Sequence, residues 1–125
     1  MEIFYDEFIL KSLPNAYYNE IVKHINQLSK SYNVNDFDVN DFNSYNEYIM
    51  PYSFRLSLDN INICLIECDF CVSAKMIEDE KLNVKYIDSI NIEYCNITSI
   101  EYMSCDDYQK IITNSLPKDN PIIKE

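Results

Sequence analysis

Alternating side chains over residues 52–76 constrain the fold of this chain more than any other stretch. From Tyr52 to Met76, apolar residues fall at every second position, with one break at the polar pair Asp59-Asn60. The alternating set consists of Phe54, Leu56, Leu58, Cys64, Ile66, Cys68, Phe70, Val72, Ala74 and Met76. A period of two places such side chains on one face of a strand. The stretch therefore predicts two strands joined by a hairpin turn, in which Asn60 takes the positive φ that glycine would otherwise supply.

The alternation returns further along the chain and extends the predicted sheet. Residues 78–81 form a charged turn, and Leu82, Val84 and Tyr86 then alternate until Asp88-Ser89 breaks the pattern. A second apolar set follows on one parity: Ile90, Ile92, Tyr94, Ile100 and Tyr102. One apolar and one polar face is typical of an antiparallel sheet with a helix on one side.

Two segments have helical spacing instead. Over residues 14–32 the apolar residues recur every three or four positions, and Pro14 suits the first turn of a helix. A second helix is predicted after Ser104, which can cap it, with Asp107 three residues on. Residues 2–10 fit either a short helix or an edge strand. We therefore predict an α+β fold: a mostly antiparallel sheet of four to five strands (about residues 52–103) packed against an N-terminal helix (about 14–32) and a short C-terminal helix (about 105–116).

Length and composition indicate one domain over residues 1–125. The chain is 47% hydrophobic, enough for a packed core, and we expect no internal repeat and a loose tail at 117–125. It lacks an apolar run of membrane-spanning length and a basic leader, so we expect an unsecreted, cytoplasmic protein with five reduced cysteines. Many Asn, Ile and Tyr residues, which have AT-rich codons, indicate a low-GC genome such as that of a bacterium, a phage or a large DNA virus.

The charge balance is strongly acidic, with 21 carboxylates against 10 basic residues and a net charge of -11. Codon bias toward AT would have added lysine, so the imbalance is a property of the protein itself. Such a field repels nucleic acid and anionic membranes and attracts basic surfaces. The alternative interpretation is that the acidic surface only confers solubility.

Residues 33–52 carry acidic and aromatic side chains and no basic residue. We predict a loop with one helical turn, ended by Pro51, because Asn and Asp favour turns. Residues 36–47 resemble an EF-hand calcium loop, with oxygen ligands at Asp36, Asp38, Asn40, the Phe42 carbonyl, Ser44 and Glu47. Asp41 stands where that loop has glycine, and we favour a solvated acidic loop without a metal.

The cysteines allow two further interpretations. The first interpretation is an iron–sulfur cluster site formed by Cys64, Cys68 and Cys71. This stretch resembles the cluster-binding motif of radical S-adenosylmethionine enzymes, but only in the spacing of its cysteines. A zinc site is the second interpretation, with Cys68, Cys71, Cys95 and Cys105 as ligands. Strand alternation places Cys64 and Cys68 on one face and Cys71 on the other, so we predict buried free thiols and no cofactor.

The sequence favours a non-catalytic function, since the one histidine, His24, has no nucleophile placed beside it. We predict a small acidic inhibitor that binds a basic, nucleic-acid-binding surface of a nuclease or CRISPR-type defence effector as a nucleic-acid mimic. In size and charge it resembles phage anti-CRISPR proteins. The alternative is an immunity protein or antitoxin that neutralises a basic toxin. The predicted partner-binding residues are Asp36, Asp38, Asp41, Glu47, Phe37, Phe42, Tyr45, Tyr48, Glu78, Asp79 and Glu80, with no direct contact to nucleic acid or membrane.

Overall fold

A four-stranded sheet organises the part of the chain described by a computed structural model, which covers residues 1–6, 15–57 and 59–115. Its elements are β1 (Glu2–Tyr5), α1 (Asn15–Ser31), β2 (Glu47–Ser57), β3 (Asn62–Asp79), β4 (Val84–Ser104) and α2 (Cys105–Ser115). The predicted α+β arrangement is confirmed. The predicted helix start at Pro14 and the loose tail at 117–125 lie outside the described residues.

The strands lie in the order β1-β4-β3-β2. β3 pairs antiparallel with both β2 and β4, and β1 adds to the far side of β4 in parallel orientation. Residues 2–5 thus form an edge strand, one of the two structures predicted for residues 2–10; residues 7–10 of that segment lie outside the described residues. β2 begins at Glu47, which pairs with Ser73 of β3, and the β3–β4 hairpin continues past this point. Residues 74–90 therefore extend beyond the end of β2 as a two-stranded hairpin. We call this extension the ribbon.

The core lies between α1 and one face of the sheet, which we call the helix face. Ile21 and Ile25 of α1 are fully buried against the central strands. The buried cluster consists of Ile21, Ile25, Cys64, Ile66, Cys68, Phe70, Val72, Cys95 and Ile97. The predicted placement of Cys64 and Cys68 in the core is confirmed. We call the opposite surface of the sheet the open face.

β2 begins at Glu47, inside the stretch predicted as loop. Its side chains alternate strictly between exposed and half-buried from end to end. Pro51 lies within the strand, opposite Asp69, so the prediction that it ends the loop is wrong. An edge strand tolerates proline because only one side of its backbone is paired in the sheet.

β4 contains 21 residues and β3 contains 18, although the two strands pair from end to end. The register shifts at three places, and each shift leaves one β4 residue without a partner across the ladder. The extra residues are Asp88, Glu93 and Thr98. Each is a β-bulge, and each reverses the side of the sheet that the following side chains face.

The bulges change which β4 residues reach the core. Tyr94 pairs with Cys71 on the open face and is 36% exposed, so its predicted place on the apolar parity is wrong. Cys95 and Ile97 take positions on the helix face and are fully buried. A strict period of two cannot predict this exchange, because an inserted residue shifts the parity.

The tight turns also differ from the expectation. Asp59 holds the β2–β3 turn, since its Oδ1 accepts hydrogen bonds of 2.7 Å from the backbone N–H of Ile61 and of the next residue. These hydrogen bonds lower the pKa of Asp59, and the bond from Ile61 makes the largest contribution. Positive φ occurs at Asn46 (60°) and Asn83 (53°) rather than at Asn60. Asparagine tolerates this left-handed region better than other residues that carry a Cβ, and the chain has no glycine.

The start of α2 agrees with the prediction. The Ser104 hydroxyl donates a 2.8 Å hydrogen bond to the Asp107 carboxylate and accepts one of 3.2 Å from the Asp107 N–H. The helix then lies over one end of the open face, where Arg55 donates a 3.0 Å hydrogen bond to the Tyr108 hydroxyl. A cleft of about 390 Å³ lies beside this contact, and its lining includes Arg55, Leu65, Glu67 and Tyr108.

Candidate functional site: the acidic loop and the ribbon

Residues 33–42, which we call the acidic loop, fold as two consecutive 3₁₀ turns, Val34–Asp36 and Val39–Asp41. The sequence of the loop is a tandem repeat, Asn-Val-Asn-Asp-Phe followed by Asp-Val-Asn-Asp-Phe. The expectation of a chain without repeats is therefore wrong at this short scale. The two units differ at one position, Asn33 against Asp38.

Each unit closes on itself through a capping box. Asn33 accepts a 2.9 Å hydrogen bond from the Asn35 N–H, and Asp36 accepts one of 2.8 Å from the Asn33 N–H. Asp38 and Asp41 repeat the arrangement at 2.9 and 3.0 Å in the second unit. These reciprocal bonds satisfy the backbone N–H groups that a helical turn leaves unpaired. They also hold the aspartates in defined positions while the three side chains stay exposed.

The aromatic side chains of this region point mainly inward. Phe37, Phe42 and Tyr48 are half-buried, pack against the core and contact one another with ring centroids 5.9–6.4 Å apart. Of the four predicted aromatic anchors, Tyr45 is the one that is widely exposed, at 82%. The first three therefore hold the loop against the sheet, and Tyr45 is the one placed for a partner.

The predicted acidic residues lie in three places. Asp36, Asp38 and Asp41 are on the acidic loop, over the helix face. Glu47 opens β2 opposite Ser73, and the alternation of β2 puts it on the open face. The remaining three, Glu78, Asp79 and Glu80, are at the outer end of the ribbon.

The ribbon turn comprises residues 80–83, so Glu78 and Asp79 still belong to β3 and not to the predicted turn 78–81. Asp79 accepts hydrogen bonds from the backbone N–H groups of Lys81 (3.0 Å) and Leu82 (3.3 Å). It therefore stabilises the turn, while Glu78 and Glu80 are exposed.

The acidic loop and the ribbon meet at a shallow cleft of about 380 Å³. Its lining includes Asn35 and Asp38 from the loop, and Tyr86 and Ile87 from β4. Tyr86 is 47% exposed, and Val84 and Leu82 nearer the tip are 48% and 71% exposed. The sequence shows the alternation of these three residues, but it does not show that residues 74–90 project beyond the sheet. For that reason they are not among the partner-binding residues predicted from the sequence.

The loop does not have the shape of a calcium-binding loop. The carboxylates of Asp36, Asp38 and Asp41 turn back to accept hydrogen bonds from the loop's own backbone. Within residues 1–6, 15–57 and 59–115, no three His, Cys, Asp or Glu side chains are grouped so that they could hold a metal ion. The four cysteines of the zinc interpretation are accordingly not gathered at one site.

Cys68 and Cys95 are partners within the core. A hydrogen bond between the two thiols lowers the pKa of Cys68 and raises that of Cys95, which burial raises further. Cys71 lies on the opposite face of the sheet, hydrogen-bonded to Tyr94. All five cysteines are free thiols.

Comparison with models of known protein families, with curated proteins and with solved structures finds no match to this chain. Neither α1 nor α2 has the length and apolar character needed to cross a bilayer, and no other helix among the described residues does.

Proposed function

We propose that this chain is a non-catalytic inhibitor that places the acidic loop and the ribbon on a basic, nucleic-acid-binding surface of a protein partner. Nucleases and CRISPR-type defence effectors carry such surfaces. The observation that supports the proposal is the pair of capping boxes, which fixes Asp36, Asp38 and Asp41 in exposed positions.

Fixed carboxylates favour binding because less side-chain entropy is lost when the complex forms. One oxygen of each carboxylate accepts a backbone hydrogen bond, which leaves the other available to Lys or Arg. Charge-assisted hydrogen bonds of this kind are the ones that basic proteins make to phosphate groups. Three anionic groups on one short loop thus offer a basic channel the contacts that a nucleic-acid backbone would offer.

The long-range field supports the same partner. A net charge of -11 attracts a basic protein and raises its association rate, while it repels nucleic acid. The exposed side chains of Tyr86 and Tyr45 lie beside or just after the acidic loop. Aromatic residues in such positions are frequent energetic centres of protein interfaces.

The test is a charge-neutral loop, Asp36→Asn, Asp38→Asn and Asp41→Asn together. Asparagine keeps an oxygen that can accept the capping hydrogen bonds, so the loop retains its fold while it loses three charges. The matched control neutralises three exposed carboxylates elsewhere: Glu20→Gln, Glu101→Gln and Asp106→Asn.

The immobilised protein is used to capture partners from cells of the organism that encodes it, and bound proteins are eluted with a salt gradient. We expect the partner to elute at clearly lower salt from the loop variant than from the control, and duplex DNA added as competitor to release it from the wild type. Equal elution from loop variant and control would refute the role of the loop. Capture that resists both DNA and RNA competitors would refute nucleic-acid mimicry, as expected for an antitoxin that covers a different site.

A further inference from the structure

The open face carries a stripe of apolar side chains that crosses all four strands. Ile49 of β2 pairs with Cys71 of β3, and Cys71 pairs with Tyr94 of β4. The Tyr94 ring lies 5.5 Å from the ring of Phe4 on β1, at an interplanar angle of 78°. We call Phe4, Ile49, Cys71 and Tyr94 the apolar stripe.

The stripe is exposed in the part of the chain that the structure describes. Ile49 is 51%, Phe4 48% and Tyr94 36% exposed, and Cys71 between them is 6% exposed. Scattered apolar side chains are normal on protein surfaces, but a contiguous set across a whole sheet marks a contact surface. With strands about 4.8 Å apart, the stripe is about 14 Å long, which matches two to three turns of an α-helix.

Carboxylates surround the stripe. Glu47 and Glu93 stand on one side, where the Ser73 hydroxyl donates a 2.6 Å hydrogen bond to Glu93. That bond, with a second from Asn91, lowers the pKa of Glu93 and so keeps it ionised.

Asp69 lies on the other side of the stripe, and Glu2 lies beside Tyr94 at the β1 edge. The basic residues of the described open face are Arg55, which contacts Tyr108 at the α2 end, and Lys75 at the base of the ribbon. The N-terminal ammonium of Met1 also acts on Glu93, and the four carboxylates of the rim outnumber it, so the rim carries a net negative charge.

The geometry points to a cationic amphipathic helix of a protein partner as the occupant of the apolar stripe. Its apolar side chains would cover Ile49, Tyr94 and Phe4, and its Lys or Arg residues would reach the rim. α1 shows that the other face of this sheet accepts a helix, and α2 shows it for the far end of the open face. α2 lies over Leu65 of β3, and Cys71 of the stripe is six residues further along the same strand, a distance of about 20 Å. A second helix of about 10 Å diameter therefore fits beside α2 on the open face.

Charge distinguishes this occupant from a second copy of the chain. Two copies stacked through the stripe would bring like carboxylates together around an apolar centre, and each copy carries a net charge of -11. A cationic segment gains from the same carboxylates. This surface is on the opposite face of the sheet from the acidic loop, so its failure would leave the proposed role of the loop untouched.

The experiment uses the full chain and a fluorescein-labelled helical peptide of about 18 residues, with leucines on one face and lysines on the other. Binding is measured by fluorescence anisotropy. The stripe variant is Ile49→Ser with Tyr94→Ser, and the control is Ile61→Ser with Ile111→Ser, two residues that are 68% and 55% exposed elsewhere. We expect a loss of about tenfold or more in affinity for the stripe variant and none for the control.

A second variant neutralises the rim with Glu47→Gln, Asp69→Asn and Glu93→Gln, and it should weaken binding and reduce its salt dependence. Circular dichroism verifies that each variant is folded. Equal binding of wild type and stripe variant would overturn the proposal, and so would equal binding of a lysine-only peptide of the same charge.

Three other results would also overturn it. If wild-type protein dimerises in light-scattering chromatography and the stripe variant does not, the occupant is a second copy. If the peptide binds only after deletion of residues 116–125, the occupant is that segment of the chain. Loss of peptide binding in the charge-neutral loop variant, with the stripe intact, would place the peptide on the acidic loop instead.

Discussion

The two units of the acidic loop provide an internal control for the role of its capping residues. Asn33 and Asp38 occupy equivalent positions, and each accepts a 2.9 Å hydrogen bond from the N–H two residues later. Asp38→Asn converts the second unit to the sequence of the first. The oxygen that makes the bond is retained, so we expect the free energy of unfolding to change by less than about 0.5 kcal/mol.

Asp38→Ala removes the acceptor and should destabilise the protein by about 1 kcal/mol, the usual value for loss of a cap. Because the units form separate turns, adding Asn33→Ala should bring the total to about 2 kcal/mol, with some coupling between neighbours. For a domain whose whole stability is about 5–15 kcal/mol, this is a large share. A change of 1 kcal/mol corresponds to a shift of about 3–5 °C in Tm at this size.

The assay is urea unfolding followed by far-UV circular dichroism and tyrosine emission, which is informative because the chain has 11 tyrosines and no tryptophan. A stability change appears as a shifted midpoint with an unchanged slope. The reasoning is refuted if Asp38→Asn destabilises as much as Asp38→Ala, since the negative charge and not the hydrogen bond would then hold the turn. It is equally refuted if Asp38→Ala leaves the midpoint unchanged.

Three further predictions concern the core, acid stability and thiol reactivity. Phe70→Ala should destabilise the protein by about 3–5 kcal/mol, because this fully buried ring lies at the centre of the core; a midpoint shift worth less than 1 kcal/mol would contradict that placement. The folded-state pKa of Glu93 lies below its ordinary value of 4.5, so the contribution of Glu93 to the free energy of unfolding is present above pH 4.5 and is lost as the pH falls through the lower folded value. When the free energy of unfolding is measured at a series of pH values, Glu93→Gln should therefore lose less stability on acidification than the wild type. An unchanged acid dependence in the variant would exclude this contribution of Glu93. Cys105 is half-buried and the other four cysteines are buried, so a thiol reagent should modify one cysteine rapidly in native protein and all five in denaturant; rapid labelling that persists in Cys105→Ser would contradict this.

The alternation over residues 52–76 was sufficient to predict the centre of the fold. The core face of β3 contains Cys64, Ile66, Cys68, Phe70 and Val72, as the period of two requires. β3 is a central strand that pairs with β2 and β4 along its length, so its alternate side chains point to the helix face and to the open face in turn. The apolar set therefore lies on the buried helix face. The helix spacing over residues 14–32 was equally informative, because one side of α1 packs on a flat apolar surface.

The parity of β4 could not be predicted, since nothing local in the sequence identifies Glu93 or Thr98 as an inserted residue. The bulges follow from tertiary pairing with a shorter β3. The candidate site was predicted in part for a similar reason. Acidic side chains on residues 36–41 are exposed as composition indicates, but the inward direction of Phe37 and Phe42 depends on contacts with Tyr48 on another element.

The three bulges of β4 also bear on solubility. β1 pairs with residues 94–97 of β4, so within the described residues much of the outer edge of this long strand has no neighbouring strand. A straight edge rich in isoleucine and tyrosine is a template on which further chains can add and form fibrils. Extra residues at 88, 93 and 98 interrupt the hydrogen-bonding ladder every five positions and increase the local twist. The same irregularity that hides the parity of β4 from sequence inspection is therefore expected to limit edge-to-edge aggregation of the folded chain.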